Sequence, residues 1–417
     1  MIIAGIIAEY NPFHNGHLYQ LNRLRETLHP DLVVVVMSGD FLQRGEPALV
    51  SKWTRTKMAL QSGIDLIVEL PFVYAVGKAD TFARGAVALL DQLGVTHLFF
   101  SSECGQIEPF QNTLSLIQGH QDIYSMQLAH AMSQGLSYPN AHAAAYRFIA
   151  KNDPRELVDL AQPNNSLGFH YLKAIEQRNS AMIPLTMKRY ETEHNDRTFE
   201  KDASVASASS IRRHLLEGAA LQAIKNKIPH ATCTALKNAQ ETYGYASWER
   251  FFPFLKYKLL SMNTDRLSEI YEIEEGIEFR LLACIRSAHS FHDFITSVKT
   301  KRYTWARLQR LAVHILTDTL KSEAKPLALN QEPDSIRLLG MNRDGQAYLA
   351  LIRKKMEIPI LSKIRNHRSK MLEQDIKAAQ IYDYLVALGH TSHPFTETGH
   401  PPVRYDAHQK SFLGDSD

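Results

Sequence analysis

Cysteine is scarce in this chain. Its 417 residues include three, Cys104, Cys233 and Cys284, which lie far apart and form no CxxC pair. That pattern argues against a disulfide framework or a zinc cluster, and a reducing cytoplasm is the expected compartment. Long apolar runs are also missing. None is long enough to cross a bilayer, so no membrane association is expected. The first residues lead directly into a strand-like segment and lack the basic start and cleavage site of a secretory signal. Excess charge is small, formally +3, so any nucleic-acid contact must come from local clusters. No internal repeat or low-complexity tract is evident. What remains is an ordinary globular composition, long enough for two or three domains.

The most informative stretch is Glu9-Tyr10-Asn11-Pro12-Phe13-His14-Asn15-Gly16-His17. The apolar segment Ile2 to Ala8 before it reads as a buried strand, and Leu18 to Leu28 after it reads as a helix. Gly16 carries no Cβ, which lets the backbone approach a ligand. The start of the following helix favours an anion. His14 and His17 can then donate hydrogen bonds to phosphate oxygens where charge develops in a transition state. His14-Asn15-Gly16-His17 resembles the HxGH signature of the nucleotidyltransferase superfamily, whose members attack the α-phosphate of a nucleoside triphosphate and expel pyrophosphate. The competing structural explanation is a satisfied histidine pair on a polar turn.

Further strands are expected at Asp31 to Met37, Asp65 to Leu70, Thr96 to Phe100 and Met182 to Arg189. Helical periods lie between them at Lys52 to Gln61, Thr81 to Leu93 and Leu167 to Arg178. This alternation predicts an α/β fold, a Rossmann-like parallel sheet with helices on both faces. Ligands of such sheets bind at the carboxyl ends of the strands. The turns that hold His14–His17, Ser38-Gly39-Asp40 and Ser101-Ser102-Glu103 should therefore converge. Gln43, Arg44 and Lys52, with Arg55 and Lys57, follow the second strand and are expected near phosphate or substrate. Asn164 and Asn165 open a helix. They are good caps, and they can also read a base edge or ribose. Ser207-Ala208-Ser209-Ser210-Ile211-Arg212 opens another helix, where hydroxyls and free N–H groups grip phosphate and Arg212 can neutralise a leaving pyrophosphate. It resembles the ISxTxxR motif that accompanies HxGH, with Ala206 in place of Ile and Ser209 in place of Thr.

Strand signals fade from about Ser247, and helical periods take over at Phe251 to Leu260, Ile277 to Ser287, Phe291 to Lys299 and Trp305 to Leu320. The run from Lys299 to Arg310 holds Lys299, Lys301, Arg302, Arg307 and Arg310 with no acid, and also Tyr303 and Trp305. Cations at this density suit a phosphate backbone, and the aromatics suit an unpaired base. The expected organisation is a nucleotidyltransferase-like catalytic domain over 1–225, a mainly helical RNA-binding domain over 240–392, and an irregular C-terminal tail over 393–417.

Taken together, Glu9 to His17, Phe41-Leu42-Gln43-Arg44-Gly45-Glu46-Pro47, Pro163-Asn164-Asn165, Ser207 to Arg212 and Lys301-Arg302-Tyr303-Thr304 resemble the bacterial tRNA(Met) cytidine acetate ligase family over nearly the whole chain. The resemblance implies activation of acetate by ATP to acetyl-adenylate. Acetyl then passes to N4 of the wobble cytidine of elongator tRNA(Met), giving N4-acetylcytidine. It implies ATP contacts from Ile7, Ala8, Glu9, Tyr10, Asn11, Pro12, Phe13, His14, Asn15, Gly16, His17, Leu18, Tyr19 and Gln20. It adds Ser101 (where the family usually has Gly), Asn165, Arg189, Ser209 and Arg212, with His14 and His17 as the catalytic pair. Lys299 to Arg310 would meet the tRNA. Magnesium is expected to accompany ATP, although no dedicated carboxylate cage and no protein metal ligand is visible.

Three other readings share the first half. A small-molecule adenylyl- or cytidylyltransferase for a cofactor precursor would need little of the helical second half. A non-catalytic nucleotide-dependent RNA-binding protein would not need both histidines. A pyrophosphate-forming ligase of another kind would take a different small carboxylate. Oligomeric state is not set by any of these features.

Overall fold

The computed structural model describes residues 1–189, 205–365, 367–390 and 397–413. Among the described residues nine strands share one sheet: β1 (Ile3–Ala8), β2 (Leu32–Ser38), β3 (Leu66–Leu70), β4 (His97–Ser102), β5 (Ile183–Lys188), β6 (Ile336–Met341), β7 (Ile360–Leu361), β8 (Val403–Asp406) and β9 (Ser411–Leu413). Their order is β5-β4-β1-β2-β3-β6-β8-β9, with β7 beside β6. The five strands from β5 to β3 all pair in parallel, as expected from strands separated by helices.

Alternation along the strands builds a core on each face. Leu32, Val34 and Val36 of β2 enter one cluster with Leu66, Val68 and Leu98. Val33, Val35 and Met37 enter the other with Ala4, Ile6 and Ile67. Burial on both sides explains why β2 reads as an unbroken apolar run. Helices Ala79–Gln92 and Pro163–Gln177 cover the first face through Phe82, Leu89, Leu90, Phe169 and Leu172. Helices Asn15–Leu28 and Lys52–Gln61 cover the second through Leu21, Leu24, Met58 and Leu60, joined by Ile211 and Leu215.

The second half is helical, with its main helices at Trp248–Ser261, Ile277–Ile285, Phe291–Val298, Trp305–Leu316 and Lys370–Val386. Its apolar residues continue the first core cluster, from Phe251 and Leu255 to Phe294, Leu311 and Tyr382. It also returns to the sheet, where β6 pairs antiparallel with β3. The stretch expected to be an irregular tail is ordered where it is described. β8 pairs parallel with β6, and β9 closes an antiparallel hairpin on β8. These strands are too short for a period to show in sequence. Positions 393–396 and 414–417 of that stretch lie outside the described residues.

Two contacts fix the halves beside the first-half loops. The Tyr382 hydroxyl donates to the Ala48 carbonyl at 2.7 Å, and Trp248 Nε1 donates to the Gly45 carbonyl at 2.8 Å. Gly45 has φ +74°, and a Cβ there would stand 2.2 Å from the Arg310 backbone nitrogen. Only glycine fits both the turn and the approach of this second-half helix.

Candidate active site

Strand order reverses at β1, whose neighbours are β2 and β4. Connections on either side of such a switch point run to opposite faces and leave a crevice beyond the carboxyl ends. A cleft of about 720 Å³ opens there.

The loop after β1 is pinned from several sides. Arg55 Nη1 donates to the Glu9 carbonyl at 2.7 Å, and Arg212 Nη1 to the Asn11 carbonyl at 3.0 Å. The side chain of Asn11 accepts the Leu49 N–H at 2.7 Å. Tyr10, at φ +49°, takes a left-handed conformation that a non-glycine residue adopts only when its surroundings enforce it. Phe13 is fully buried below, with ring centroids 4.8 Å from Tyr10 and 5.5 Å from His17.

The two histidines cap the helix that follows. His14 is the N-cap, and its Nδ1 accepts the Gly16 N–H at 3.0 Å. His17, three residues on, reaches back so that its Nδ1 accepts the His14 N–H at 3.3 Å. This is a capping box built from imidazoles. The rings stack at 3.8 Å. A neutral ring whose Nδ1 accepts carries its proton on Nε2, so each histidine is left with an Nε2–H donor and lines the cleft. Burial, with Arg189 and Arg212 adding to it, holds the His14 pKa down at about 3. Burial, with His14 and Arg189, holds that of His17 well below the ordinary value. At neutral pH both are uncharged donors in the cleft wall at the helix N-terminus. A Cβ at Gly16 would lie 2.8 Å from Cε1 of His14. Its bareness therefore accommodates the histidine ring, and Gly16 also lines the cleft.

The expected residues divide into those that line the cleft and those that do not. Ile7, Ala8, Glu9, Tyr10, Asn11, His14, Gly16, His17, Tyr19, Gln20, Gln43, Arg44, Ser101, Arg189 and Arg212 line it. Pro12 and Phe13 are buried behind them, Leu18 packs on the core, and Asn15 donates to the Asn226 carbonyl at 2.9 Å. Asn165 is turned inward: its side chain accepts from the Cys104 N–H at 3.0 Å and donates to the Asp159 carbonyl at 3.1 Å. Its neighbour Asn164 lines the cleft instead. Ser209 is exposed outside the cleft, while Ser207 and Ala208 line it and Ser207 caps its helix. Glu46 accepts from Arg212 Nη2 at 2.5 Å and holds that cation beside the loop.

Lys52 is the clearest correction. It is fully buried away from the cleft, with Nζ 2.8 Å from Glu69 and 2.9 Å from Glu397. Burial opposes its charge, but Glu397, Glu69 and Asp40 outweigh that and hold the ammonium protonated. Burial raises the Glu9 pKa, while the Gln43 N–H, donating at 2.8 Å, works against the rise.

The basic run also divides. Lys299, Lys301 and Arg302 are exposed. Tyr303 is buried under Arg307, whose guanidinium lies 4.9 Å from the ring centroid and pairs with Glu275 at 3.4 Å. Trp305 rests against His292, and Arg310 is buried on Glu272 at 3.1 Å. Neither Tyr303 nor Arg310 is presented to solvent as the sequence suggested. Ala306 lines the cleft. Sequence reading missed it, along with Phe82, Phe100 and Tyr171. A signal for Tyr171 was available, because Asn164, Leu167 and Tyr171 share one face at helical spacing.

The whole chain has known relatives. The family model described as HIGH Nucleotidyl Transferase matches residues 1–394. The chain belongs to this family. A tRNA(Met) cytidine acetate ligase of Bacillus licheniformis is 45% identical over 99% of this chain and 100% of its own length. That of Bacillus subtilis strain 168 is 42% identical over 99% and 100%. The crystal structure of Thermotoga maritima TmcAL bound with alpha-thio ATP superposes with TM-score 0.88 at 30% identity, covering 97% of this chain and 100% of that one. Its apo form gives 0.90 at 32%, with the same coverage. The likeness thus spans the HIGH nucleotidyltransferase half and the helical half together. Among the described residues no helix is long and apolar enough to cross a membrane, and no group of His, Cys, Asp and Glu is arranged to hold a metal.

Proposed function

We propose that this chain is an ATP-dependent tRNA(Met) cytidine acetate ligase. One observation carries the reading: the nucleotide cleft and the helix that continues the basic run share one surface. Ala306 lines the cleft, and the Gly45 turn rests against the Arg310 backbone of the same helix. A small-molecule nucleotidyltransferase has no use for that junction.

In the first step a carboxylate oxygen of acetate attacks the α-phosphorus of ATP. An O–P bond forms, the bond to the bridging β-phosphate oxygen breaks, and pyrophosphate leaves with the electron pair. Acetate is already anionic and needs no base. The reaction needs positioning and charge stabilisation, which fits two neutral imidazole donors at a helix start. Arg212, Arg189 and the N-terminal turn at Ser207 receive the outer phosphates; magnesium, if bound, would be held by the triphosphate rather than by a protein carboxylate group and would offset part of its charge. In the second step N4 of the cytidine attacks the acetyl carbonyl carbon, the bond to the phosphate oxygen breaks, AMP leaves with the pair, and the nitrogen loses a proton. A wobble base sits in a loop and can be presented without opening a duplex. Lys299, Lys301 and Arg302 meet the RNA backbone.

The test is acetate-dependent exchange of labelled pyrophosphate into ATP without RNA. Exchange is expected with acetate. No exchange with acetate, together with exchange dependent on a pantetheine or nucleotide acceptor, would assign the protein to small-molecule chemistry.

A further inference from the structure

The cleft has two unlike sides. On one, Arg189, Arg212 and the Ser207 turn gather cations and N–H groups around the histidines. On the other, Ala79, Phe82, Phe100 and Tyr171 form an apolar wall, with Gln43, Arg44 and the Glu9 carboxylate, which accepts the Gln43 N–H at 2.8 Å, at its edge. Phe82, Phe100 and Tyr171 belong to the core on the opposite face of the sheet from Ile211 and Phe13. Phe100 and Tyr171 meet edge to face at 5.7 Å. Phe100 is fixed from behind, since a Cβ at Gly168 would lie 2.4 Å from its ring. The packing leaves this wall little freedom to widen.

Tyr171 is 4% exposed overall and its side chain lines the cleft. Its hydroxyl is not among the fully buried polar atoms left without a partner, and what marks it out is its place in the cleft wall. Burial, with the charge of Glu9 adding to it, keeps the phenol protonated and therefore able to donate.

We propose that this end is the subsite for the carboxylic acid, with the Tyr171 hydroxyl donating to its carboxylate and Phe82 and Phe100 closing around its methyl group. The inference rests on the acetate-ligase reading and adds to it how a small acid is held and a larger one refused. Two requirements of that chemistry converge here. In-line displacement places the incoming acid opposite the departing pyrophosphate, hence across the cleft from Arg212 and Ser207. The acyl carbon must then meet an RNA amine, and Gln43 lies on the loop that packs against the helix after the basic run.

Pyrophosphate exchange with acetate, propionate and butyrate, at saturating ATP, tests this on the full chain and on Phe82→Leu, Phe82→Ala and Tyr171→Phe. One methylene in an apolar pocket is worth about 10- to 200-fold. The Phe82 variants are expected to raise the propionate-to-acetate ratio of kcat/KM about tenfold or more, with the KM for ATP unchanged. Tyr171→Phe should raise the KM for acetate about tenfold while leaving that for ATP alone. If Phe82→Ala does not fold, Phe82→Leu and Tyr171→Phe still decide. A raised KM for ATP with an unmoved acid ratio would place the nucleoside at this end and overturn the assignment. An unmoved acid ratio and unmoved acetate KM in every folded variant would do the same. Lack of acetate exchange in the unaltered chain would remove the ligase reading and this subsite with it.

Discussion

The carboxyl ends of β1 and β4 and those of β2 and β3 carry similar side chains and do different work. Beside β1 and β4, Arg189 at the end of β5, Arg212 and two imidazole donors face an open cleft. At β2 and β3, Lys52 and Arg55 are sealed. Lys52 is held by Glu69 and Glu397, and Arg55 by the carbonyls of Glu9, Ser38, Gly39 and Val50. The difference lies in what covers each end. The switch point sends its helices apart, whereas the helix Lys370–Val386 and the segment at Glu397 close over β2 and β3. Asp375 of that helix accepts the Phe72 N–H at 2.6 Å. Cations at a strand end are therefore reagents or structural supports according to coverage, not residue type.

Breaking the sealed side should give the largest effect. Lys52→Met leaves Glu69 and Glu397 buried without their cation and is expected to cost about 3–5 kcal/mol of stability, read from urea unfolding. A drop in exchange activity at full stability would instead return Lys52 to the cleft. On the open side, His17→Ala or His14→Ala should lower pyrophosphate exchange by about 10²- to 10³-fold, on the scale of one missing transition-state donor, while tRNA still binds. Replacing Lys301 and Arg302 with Ala should spare exchange and weaken tRNA binding. The slope of log affinity against log salt should become shallower by about 0.7 to 0.9 for each phosphate that is no longer neutralised. A filter-binding series across salt concentrations would check this.

The pH response sharpens the contrast further. In the folded chain His14 titrates at about 3, whereas an unfolded histidine titrates near 6.5. Between those values the unfolded chain binds a proton that the folded chain refuses. The contribution to stability is therefore unfavourable there and grows as pH falls from about 6.5 towards 3. Unfolding midpoints should drop over that range, and His14→Asn should flatten the drop. The smallest effect is expected from Ser209→Ala, which lies outside the cleft and should leave the KM for ATP within about twofold, against about 1 kcal/mol of stability for the helix cap Ser207→Ala.

Local sequence carried the β1 loop, the capping histidines and the parallel strands, because each is decided by neighbours a few residues away. In sequence Lys52 is a cation after a strand and looks ligand-facing, whereas its partner Glu397 is 345 positions distant. An Asn pair opening a helix can cap it or read a nucleotide, and Asn165 spends its side chain on Cys104 and Asp159. Within the basic run, density of charge marked the surface at Lys299, Lys301 and Arg302. It did not separate them from Arg310, which answers a buried Glu272. The apolar cleft wall at Phe82 and Phe100 looked like ordinary core, and most of each ring is.

The pairing of β6 with β3 bears on how this chain can be cut. A fragment ending before residue 336 would leave β3 as a bare sheet margin, with Leu66 to Val68 offering unpaired N–H and C=O groups to any passing strand. The two halves are thus poor candidates for separate expression. A graft of the helical half onto another nucleotidyltransferase would have to bring its own strand to finish the sheet.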